Sequence, residues 1–305
     1  MIYSKLFSFF IFISRKSHKH SLVVRGYVRF INIFLPLFFS LEITKPALIK
    51  SDLNIKNIVS ITSFPARIDR VWLTIESLLH QDKKPDKILL WLYKGEFSSK
   101  IKLPKKLLEI EKRGLEIRFC NENLMPHKKY FYTMQEFPES NIITIDDDIL
   151  YPPFLIETLN KFNKRYPKSI LCPITREIKI RSNAVAPYSS WRKLEENSKP
   201  RMGLLTMGGG GTLFPPGSLQ EPICYNKLLI EKLALKSDDL WLKIMATKKG
   251  TSVVSLAGDF HNSFIPIYHK SKEKLMDLNV NEGLNDIVFL GLLQKFQIDV
   301  EVFKK

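Results

Sequence analysis

The stretch Asn57-Ile-Val-Ser-Ile-Thr62 opens a regular alternation of strand and helix patterns. Further short apolar runs predict three more strands, at Lys87–Tyr93, Leu115–Cys120 and Asn141–Ile145. Apolar residues at helical spacing predict the helices between them, over Arg70–His80, Leu103–Arg113 and Lys128–Phe137. This alternation predicts an α/β, Rossmann-like fold in which a mostly parallel sheet carries helices on both faces.

Three adjacent carboxylates, Asp146, Asp147 and Asp148, directly follow the fourth predicted strand. In open α/β sheets, ligands collect at the carboxyl ends of the strands. Neighbouring carboxylates repel one another unless a cation neutralises them, and their hard oxygen atoms suit Mg²⁺ or Mn²⁺. The run therefore predicts a metal and ligand site, and a solvated acidic turn or helix N-terminus is the alternative.

Composition limits the class of protein. The chain has 305 residues, of which 45% are hydrophobic and 26% charged, enough for a sizeable core in one or two domains. Its net charge of +16 is compatible with nucleic acid, anionic lipid or phosphorylated ligands as partners. The three cysteines, Cys120, Cys172 and Cys224, form no CxxC pair. This spacing argues against a disulfide framework and a cysteine zinc site, and fits a reducing compartment.

The positive charge is concentrated at an apolar N-terminus. Residues 1–50 contain eight Lys and Arg residues and one acidic residue, Glu42. The apolar run Leu6–Ile13 is too short to span a bilayer, and the basic residues that follow it do not resemble a signal-peptide cleavage site. A second apolar segment contains Arg25 and Arg29 on one helical face. We expect a basic amphipathic helical segment that lies on an anionic membrane surface at the cytoplasmic side. A helix docked on the domain and a spanning anchor are the alternatives.

Four segments, in order along the chain, together resemble one enzyme family. They are Ile61-Thr-Ser-Phe-Pro-Ala-Arg67 after the first strand, Pro126-His-Lys-Lys-Tyr130, the run Asp146–Asp148, and Ser237-Asp-Asp-Leu-Trp241. The set is similar to nucleotide-sugar-dependent glycosyltransferases of the GT-A fold, with their Asp-x-Asp motif, of the type that builds bacterial capsules and lipopolysaccharides. The resemblance covers the chain from about Ile58 to Met245.

This resemblance implies a metal-dependent transferase that moves a sugar from a nucleoside diphosphate donor, a UDP-sugar, to a glycan or lipid-linked acceptor in surface polysaccharide synthesis. It implies an inverting mechanism with Asp239, or else Asp238, as the general base. Mn²⁺ or Mg²⁺ is the implied cofactor, held by Asp148 and Asp146, with His261 as a further candidate ligand. The donor-binding residues that the resemblance implies are Thr62, Ser63, Arg67, Lys128, Lys129, Asp146 and Asp147.

Physical arguments support several of these assignments and leave others open. A turn after a strand presents backbone N–H groups, and the Arg67 guanidinium pairs well with a phosphate. The glycines Gly209, Gly210 and Gly211 allow a bulky ligand to approach the backbone, although a plain loop would contain them too. Trp191, with the neighbouring Tyr188, is a candidate for stacking on the acceptor sugar, and packing in the core is the alternative.

We expect residues 1–50 to form the membrane-associating segment and residues 51–305 the transferase domain. Within that domain, 51–152 would bind the nucleotide sugar and 153–305 the acceptor. The competing functions are a nucleotidyltransferase or other nucleotide-sugar enzyme, and a non-catalytic membrane-associated binding protein. Nucleic acid is not an expected partner, because three Asp residues at the ligand edge repel phosphates unless a metal is bound. No GxxxxGK[ST] motif is present, which excludes a P-loop kinase.

Overall fold

The computed structural model describes residues 2–16, 21–41, 46–48, 56–97, 99–269 and 283–305. The helices in these ranges are α1 (Ile2–Lys16), α2 (Leu22–Leu41), α3 (Val71–Leu79), α4 (Lys105–Glu111), α5 (Lys128–Glu136), α6 (Leu155–Arg165), α7 (Lys227–Leu233), α8 (Asp238–Lys249) and α9 (Leu284–Phe296). The strands are β1 (Asn57–Thr62), β2 (Lys87–Tyr93), β3 (Leu115–Cys120), β4 (Asn141–Ile145), β5 (Ile149–Leu150), β6 (Ile170–Cys172), β7 (Thr175–Glu177), β8 (Ile180–Arg181), β9 (Ala184–Val185), β10 (Arg192–Lys193), β11 (Leu204–Thr206), β12 (Thr212–Phe214), β13 (Val253–Ser255) and β14 (Ile265–Pro266).

A seven-stranded sheet with the order β13-β6-β12-β4-β1-β2-β3 forms the centre of the molecule. All neighbouring strands are parallel except β12, which is antiparallel to both β4 and β6. The predicted α/β class and mostly parallel sheet are confirmed. The first four strands have the predicted bounds: β1, β2 and β4 are mostly apolar runs, as expected for strands buried on both faces, and the edge strand β3 alternates apolar and charged residues over its first four positions.

Side chains alternate between two hydrophobic cores on the two faces of the sheet. Val59 lies between Ile88 on β2 and Ile143 on β4, and all three belong to the core under α3, α4 and α6. Ile58 and Ile142, one position earlier, belong to the opposite core, which α5, α8 and α9 cover. This period of two gives the sheet an apolar surface on each face, and helices cover both faces, as predicted. Because β1 and β4 are parallel neighbours, their carboxyl ends lie together at one edge.

Helices α1 and α2 form an N-terminal hairpin that packs on the α3 side of the domain. The Tyr27 hydroxyl donates to the backbone O of Leu6 and joins the two helices, while Phe39 packs against Trp72 and His80. Of the helices that the structure describes, α2 is the one long and apolar enough to cross a membrane, with 20 residues and a mean hydropathy of 1.6. That test rests on length and composition alone. The predicted boundary between residues 50 and 51 lies outside the described residues.

Three smaller sheets join the parts of the second half of the chain. Strands β10, β7 and β11 form one of them, β8 and β9 form a hairpin, and β14 pairs with β5. The last pairing matters most for the site, since it sets Ile265 opposite Leu150, next to the acidic residues that follow β4.

Candidate active site

The acidic run Asp146–Asp148 turns away from β4 at the carboxyl edge of the sheet, beside the turn that follows β1. Asp147 is buried, and its carboxylate accepts hydrogen bonds from Ser63 Oγ (2.6 Å) and an Arg67 N–H (2.8 Å). Its backbone O accepts a further bond from the Thr74 hydroxyl at 3.0 Å. Asp147 therefore ties the turn after β1 to the end of β4, and its side chain is already satisfied by protein donors.

Arg67 also reaches the next carboxylate. The same guanidinium nitrogen lies 2.9 Å from Asp148 Oδ2. Burial acts to lower the pKa of Arg67, but the charges of Asp147 and Asp148 outweigh it and raise that pKa, so the guanidinium stays charged. Burial and the neighbouring Asp146 raise the pKa of Asp148 to about 6, in spite of Arg67. The Asp148 carboxylate is thus short of positive charge.

Lys129, near the start of α5, joins this acidic run to a second acidic group. Its Nζ lies 2.7 Å from Asp146 Oδ1 and 3.1 Å from Asp238 Oδ2. Burial acts to lower the pKa of Lys129, but the surrounding carboxylates raise it well above its usual value. The adjacent Lys128 instead donates to Asn123 Oδ1 at 2.9 Å, and burial lowers its pKa. Of the two predicted lysines, Lys129 is the one that contacts the carboxylates.

The second acidic group, Asp238 and Asp239, opens α8 as predicted. Both carboxylate oxygens of Asp239 accept from the backbone N–H of Gly208, at 3.0 and 3.2 Å. Burial and the charge of Asp238 raise the pKa of Asp239 well above its usual value. Burial acts in the same direction on Asp238, but Lys129 and His127 outweigh it and lower that pKa. The two neighbours therefore differ, since Asp238 stays ionised while Asp239 holds a proton more readily.

Gly208 fills the space between the two acidic groups. A Cβ atom at this position would lie 3.1 Å from Lys129 Nζ, 3.3 Å from Asp239 Oδ1 and 3.4 Å from Asp146 Oδ1. Any side chain there would press on three charged groups at once, so the backbone can approach them only because the residue is glycine. The predicted site residues of this loop were the three glycines that follow, and Gly208 was not among them.

The predicted glycines occupy the rest of the same loop. A Cβ on Gly209 would lie 3.4 Å from Asp146 Oδ2, and one on Gly210 would lie 2.9 Å from the backbone N of Ile174. Gly211 has a φ of +78°, a conformation that other residues rarely adopt. The loop thus carries the chain from β11 across the acidic residues into β12.

Among the described residues, the site has more carboxylates than cationic side chains in contact with them. The cationic side chains are Arg67 and Lys129, and the carboxylates are Asp146, Asp147, Asp148, Asp238 and Asp239. Buried negative charge in excess is relieved either by proton uptake, seen in the raised pKa values of Asp148 and Asp239, or by a bound cation. The donor set consists of hard oxygen atoms, which fit Mg²⁺ or Mn²⁺.

A histidine that sequence reasoning missed lies at the same edge. His269 follows β14; burial and the charges of Arg67 and Arg70 lower its pKa to about 4. Its Nε2 is buried and has no hydrogen-bond partner in the part of the chain that the structure describes. A neutral imidazole with a free nitrogen is a good metal ligand. Among the described residues no three His, Cys, Asp or Glu side chains yet converge as a metal cage. Mg²⁺ and Mn²⁺ need no such cage where substrate phosphates supply the remaining ligands.

The predicted late histidine, His261, is placed elsewhere. Its ring contacts the side-chain amide of Asn262 at 3.1 Å, and that amide is bonded in turn to Ser14 of α1. Two histidines follow β13 in the described part of the chain. The register of β14 on β5 places His269 close enough to Arg67 for the charge of Arg67 to lower its pKa. A strand of two residues gives no periodic signal from which that register could be predicted.

Trp191 also lies away from an open acceptor surface. It is 2% exposed, packs against Tyr188 and Phe289, and donates its indole N–H to the backbone O of Ala186. This placement favours the alternative of core packing. Tyr188 lies close enough to Asp239 to be affected by its charge. Burial, and then the charge of Asp239, raise the pKa of Tyr188 to about 12.

Two further buried residues hold the site together. The Tyr151 hydroxyl accepts from the backbone N–H of Asp146 at 2.9 Å and lies 3.5 Å from the backbone O of Gly209, so it links the acidic run to the glycine loop. His127 Nε2 donates to the backbone O of Ala234 at 2.8 Å, just before α8, and burial lowers the pKa of His127. Thr62 was predicted to bind the nucleotide sugar. Its hydroxyl donates a hydrogen bond to the backbone O of Trp91 on β2.

No protein-family model matches the sequence, and a comparison with curated proteins finds no match. Solved structures with a similar fold include S. aureus TarS 1–349, at 12% identity and a TM-score of 0.43. That match covers 66% of this chain and 58% of the TarS chain. Another is the mannosyltransferase PcManGT from Pyrobaculum calidifontis in complex with GDP-Man and Mn²⁺, at 12% identity and a TM-score of 0.49, covering 91% of this chain and 76% of that one. We base the functional proposal on the geometry of the site and on neither similarity.

Proposed function

We propose that the protein is a glycosyltransferase that moves a sugar from a nucleoside diphosphate donor to an acceptor hydroxyl. One observation carries the proposal: the buried Lys129 contacts both Asp146 of the acidic run and Asp238 of the α8 pair. A site that binds a metal–diphosphate therefore adjoins a carboxylate with a raised pKa, Asp239. Transfer of a glycosyl group needs both functions within the reach of one sugar ring.

The donor side would consist of Arg67, Lys129 and the acidic run. Arg67 and Lys129 offer charged N–H groups to phosphate oxygens, and Ser63 stands beside them. Asp148 and Asp146 would hold Mn²⁺ or Mg²⁺, with His269 as an added ligand. Bound there, the metal supplies positive charge that stabilises the leaving diphosphate. For Asp148 to bind it, the Arg67 guanidinium has to exchange its contact with Asp148 for one with a phosphate.

The acceptor side would use Asp239 as the general base. Its raised pKa suits a group that must take up a proton, whereas the ion pair with Lys129 makes Asp238 a poor base. Asp239 takes the proton of the acceptor hydroxyl while that oxygen bonds to the anomeric carbon. The bond from that carbon to the β-phosphate oxygen breaks, and the nucleoside diphosphate leaves with the electron pair. One displacement inverts the anomeric configuration.

The finer assignments rest on the resemblance of the four sequence motifs. We propose a UDP-sugar as donor and a glycan or lipid-linked sugar as acceptor, in surface polysaccharide synthesis. The residues up to about 152 would serve the nucleotide sugar and those after it the acceptor. This division agrees with the positions of Arg67 and Lys129 on one side and of Gly208 and Asp239 on the other.

The test is a thermal-unfolding screen of UDP-, GDP-, CDP- and dTDP-sugars against the full chain, with Mn²⁺, with Mg²⁺ and with EDTA. We expect one nucleotide class to raise the Tm only when metal is present, and we expect Asp148→Asn to lose that shift while keeping the Tm of the unliganded protein. Stabilisation by nucleoside triphosphates alone would favour a nucleotidyltransferase. No stabilisation by any nucleotide would contradict the proposal.

A further inference from the structure

The N-terminal hairpin leaves an apolar surface without a partner in the fold. Of the fourteen large hydrophobic side chains that are exposed among the described residues, nine lie on α1 and α2. We call these nine the outer face of the hairpin: Ile2, Phe9, Phe12, Leu22, Val23, Phe30, Ile33, Leu37 and Leu41. A concentration of this kind on two helices marks a binding surface, whereas exposed apolar residues scattered singly need no explanation.

The outer face forms stripes along both helices. On α2, Val23, Phe30, Ile33 and Leu37 recur at helical spacing, opposite the buried residues such as Ile31 and Leu35 that pack on the domain. On α1, Ile2, Phe9 and Phe12 recur in the same way. Each helix is thus apolar on two sides, one turned to the core of the domain and one turned outward.

The charges around the outer face indicate what covers it. Residues 2–41 contain no Asp or Glu, and the basic residues described there are all exposed: Lys5, Arg15, Lys16, Arg25 and Arg29. Long basic side chains beside apolar residues place their stems in the apolar phase and their charges among anionic headgroups. A protein partner or a second copy of this chain would have to supply acidic groups that this hairpin itself lacks. We propose that the outer face binds the surface of an anionic lipid bilayer.

The contacts of α2 favour binding at the surface over spanning. The Asn32 side chain donates to the backbone O of Pro266 at 2.9 Å and accepts from the backbone N–H of Tyr268 at 2.8 Å. Arg70 donates to the backbone O of Asn32 at 3.3 Å. An α2 helix that crossed the bilayer would break these bonds and expose the residues that it buries against α3. The hairpin therefore stays on the domain and presents its outer face to the lipid.

Vesicle co-sedimentation of the full chain tests this surface. We expect binding to phosphatidylcholine vesicles that contain phosphatidylglycerol, weaker binding at high salt, and little binding to phosphatidylcholine alone. Replacing Arg25 and Arg29 by Gln should weaken binding about fivefold for each charge removed, since each is worth about 1 kcal/mol at an anionic surface. The triple variant Phe30→Ser, Ile33→Ser and Leu37→Ser should abolish binding.

The matched control replaces three exposed apolar residues outside the hairpin by Ser, namely Ile101, Leu228 and Ile287, and should bind like the wild type. Equal loss of vesicle binding in this control, or none in the hairpin variant, would overturn the proposal. Extraction that needs detergent at every salt concentration would show a spanning anchor instead. A dimer by light scattering that the hairpin variant dissociates, without vesicle binding, would assign the outer face to a second copy of the chain.

A separate observation links the same helix to the candidate active site. The segment that Asn32 holds, Pro266 to Tyr268, lies between α2 and the acidic run, because the backbone N–H of Ile267 donates to the backbone O of Asp148 at 2.7 Å. His269 follows directly. We infer that Asn32 is a positioning residue for Asp148 and His269, an inference that rests on the proposed metal site.

Two measurements on Asn32→Leu, which removes the bonds at similar volume, test this inference. We expect amide hydrogen exchange at Ile267 and Tyr268 to rise, and the affinity for Mn²⁺ alone, followed by its EPR signal, to fall about tenfold, within the range for residues that orient metal ligands. Val28→Ala is the control, since it removes packing from the same helix but keeps the Asn32 side chain and the backbone O of Val28 to which that side chain also donates.

The outcomes separate the two proposals. If the wild type binds Mn²⁺ and Asn32→Leu binds it equally well, the positioning role is wrong and the metal site stands. If the wild type binds no Mn²⁺, either alone or together with UDP, the metal site and the positioning role both fail, whatever the hydrogen exchange shows. Equal effects of Asn32→Leu and Val28→Ala would reduce Asn32 to a packing residue and also overturn the inference.

Discussion

The two acidic groups of the site are built from the same residue type and held in different ways. The run after β4 is held by side chains, since Ser63 and Arg67 bind Asp147 and Lys129 binds Asp146. In the α8 pair, the hydrogen-bond donor that the described residues offer to the Asp239 carboxylate is the backbone N–H of Gly208. Charged partners form ion pairs with the first group, although burial still raises the pKa of Asp147 and Asp148, whereas Asp239 has a neutral amide as its partner and a pKa raised well above its usual value by burial and by Asp238. Environment rather than residue type thus assigns the roles of anion site and base.

The largest expected effect comes from Asp239→Asn, which keeps the volume of the side chain and removes the proton acceptor. Loss of a general base costs about 10²–10⁴-fold in rate, so we expect kcat to fall by that factor with the donor affinity nearly unchanged. Steady-state kinetics with separate titration of donor and acceptor measures both, and NMR of the product should show an inverted anomer. A loss that lay wholly in donor KM would move Asp239 to the donor side and remove the contrast between the groups.

The second effect concerns the group held by side chains. Asp148→Asn should lower metal-dependent donor binding by about a hundredfold, because one of few oxygen ligands loses its charge. EDTA should abolish transfer, and added Mn²⁺ or Mg²⁺ should restore it. Calorimetric titration of the nucleotide with and without metal measures the loss. Full activity in EDTA would mean that Arg67 and Lys129 alone neutralise the diphosphate.

The third effect tests the glycine between the two groups. Gly208→Ala places a Cβ 3.1 to 3.4 Å from Lys129, Asp239 and Asp146, so these groups must move by a few tenths of an ångström. A shift of 1 Å costs about 10²-fold in rate, and we therefore expect a fall in kcat of about tenfold. Gly291→Ala is the control, because a Cβ at that position on α9 meets nothing within 4 Å. Equal activity of the two variants would show that the groups work independently.

The sequence predicted the first half of this site better than the second. Strands β1 to β4 have five to seven residues with clear apolar patterns, so their bounds and the position of Asp146–Asp148 at their carboxyl edge followed from pattern alone. After β5 the strands have two or three residues, too few for any period, and their contacts span long stretches of chain. The link from β14 to Asp148, and with it the choice of His269 over His261, depends on such a pairing.

Rotation about a helix axis limited the prediction in the same way. Lys128 and Lys129 were equivalent in the sequence, but neighbours on a helix point about 100° apart, and only Lys129 turns to the carboxylates. Nothing in the sequence marks Tyr151 as a site residue, because its hydrogen bond to Asp146 arises from the reversal of the chain between β4 and β5. Residues that act through long-range geometry give no local signal.

The smallest expected effect is a dependence on pH that should separate the two groups. The pKa of Asp148 is raised to about 6, and metal binds the ionised form, so a proton and the metal compete. Below pH 6 we expect the Mn²⁺ affinity to fall by up to about tenfold for each pH unit. Without metal, the effect of pH on stability has the opposite sign. The raised pKa of Asp148 means that its ionised form destabilises the folded protein, so the free energy of unfolding increases as the pH falls through 6 and Asp148 takes up a proton. Thermal unfolding between pH 5 and 7, with and without Mn²⁺, should therefore show two curves that converge toward low pH. Asp148→Asn should remove this convergence, whereas Asp239→Asn should keep it. If both variants behaved alike, the two acidic groups would titrate as one, and the division of roles between them would be wrong.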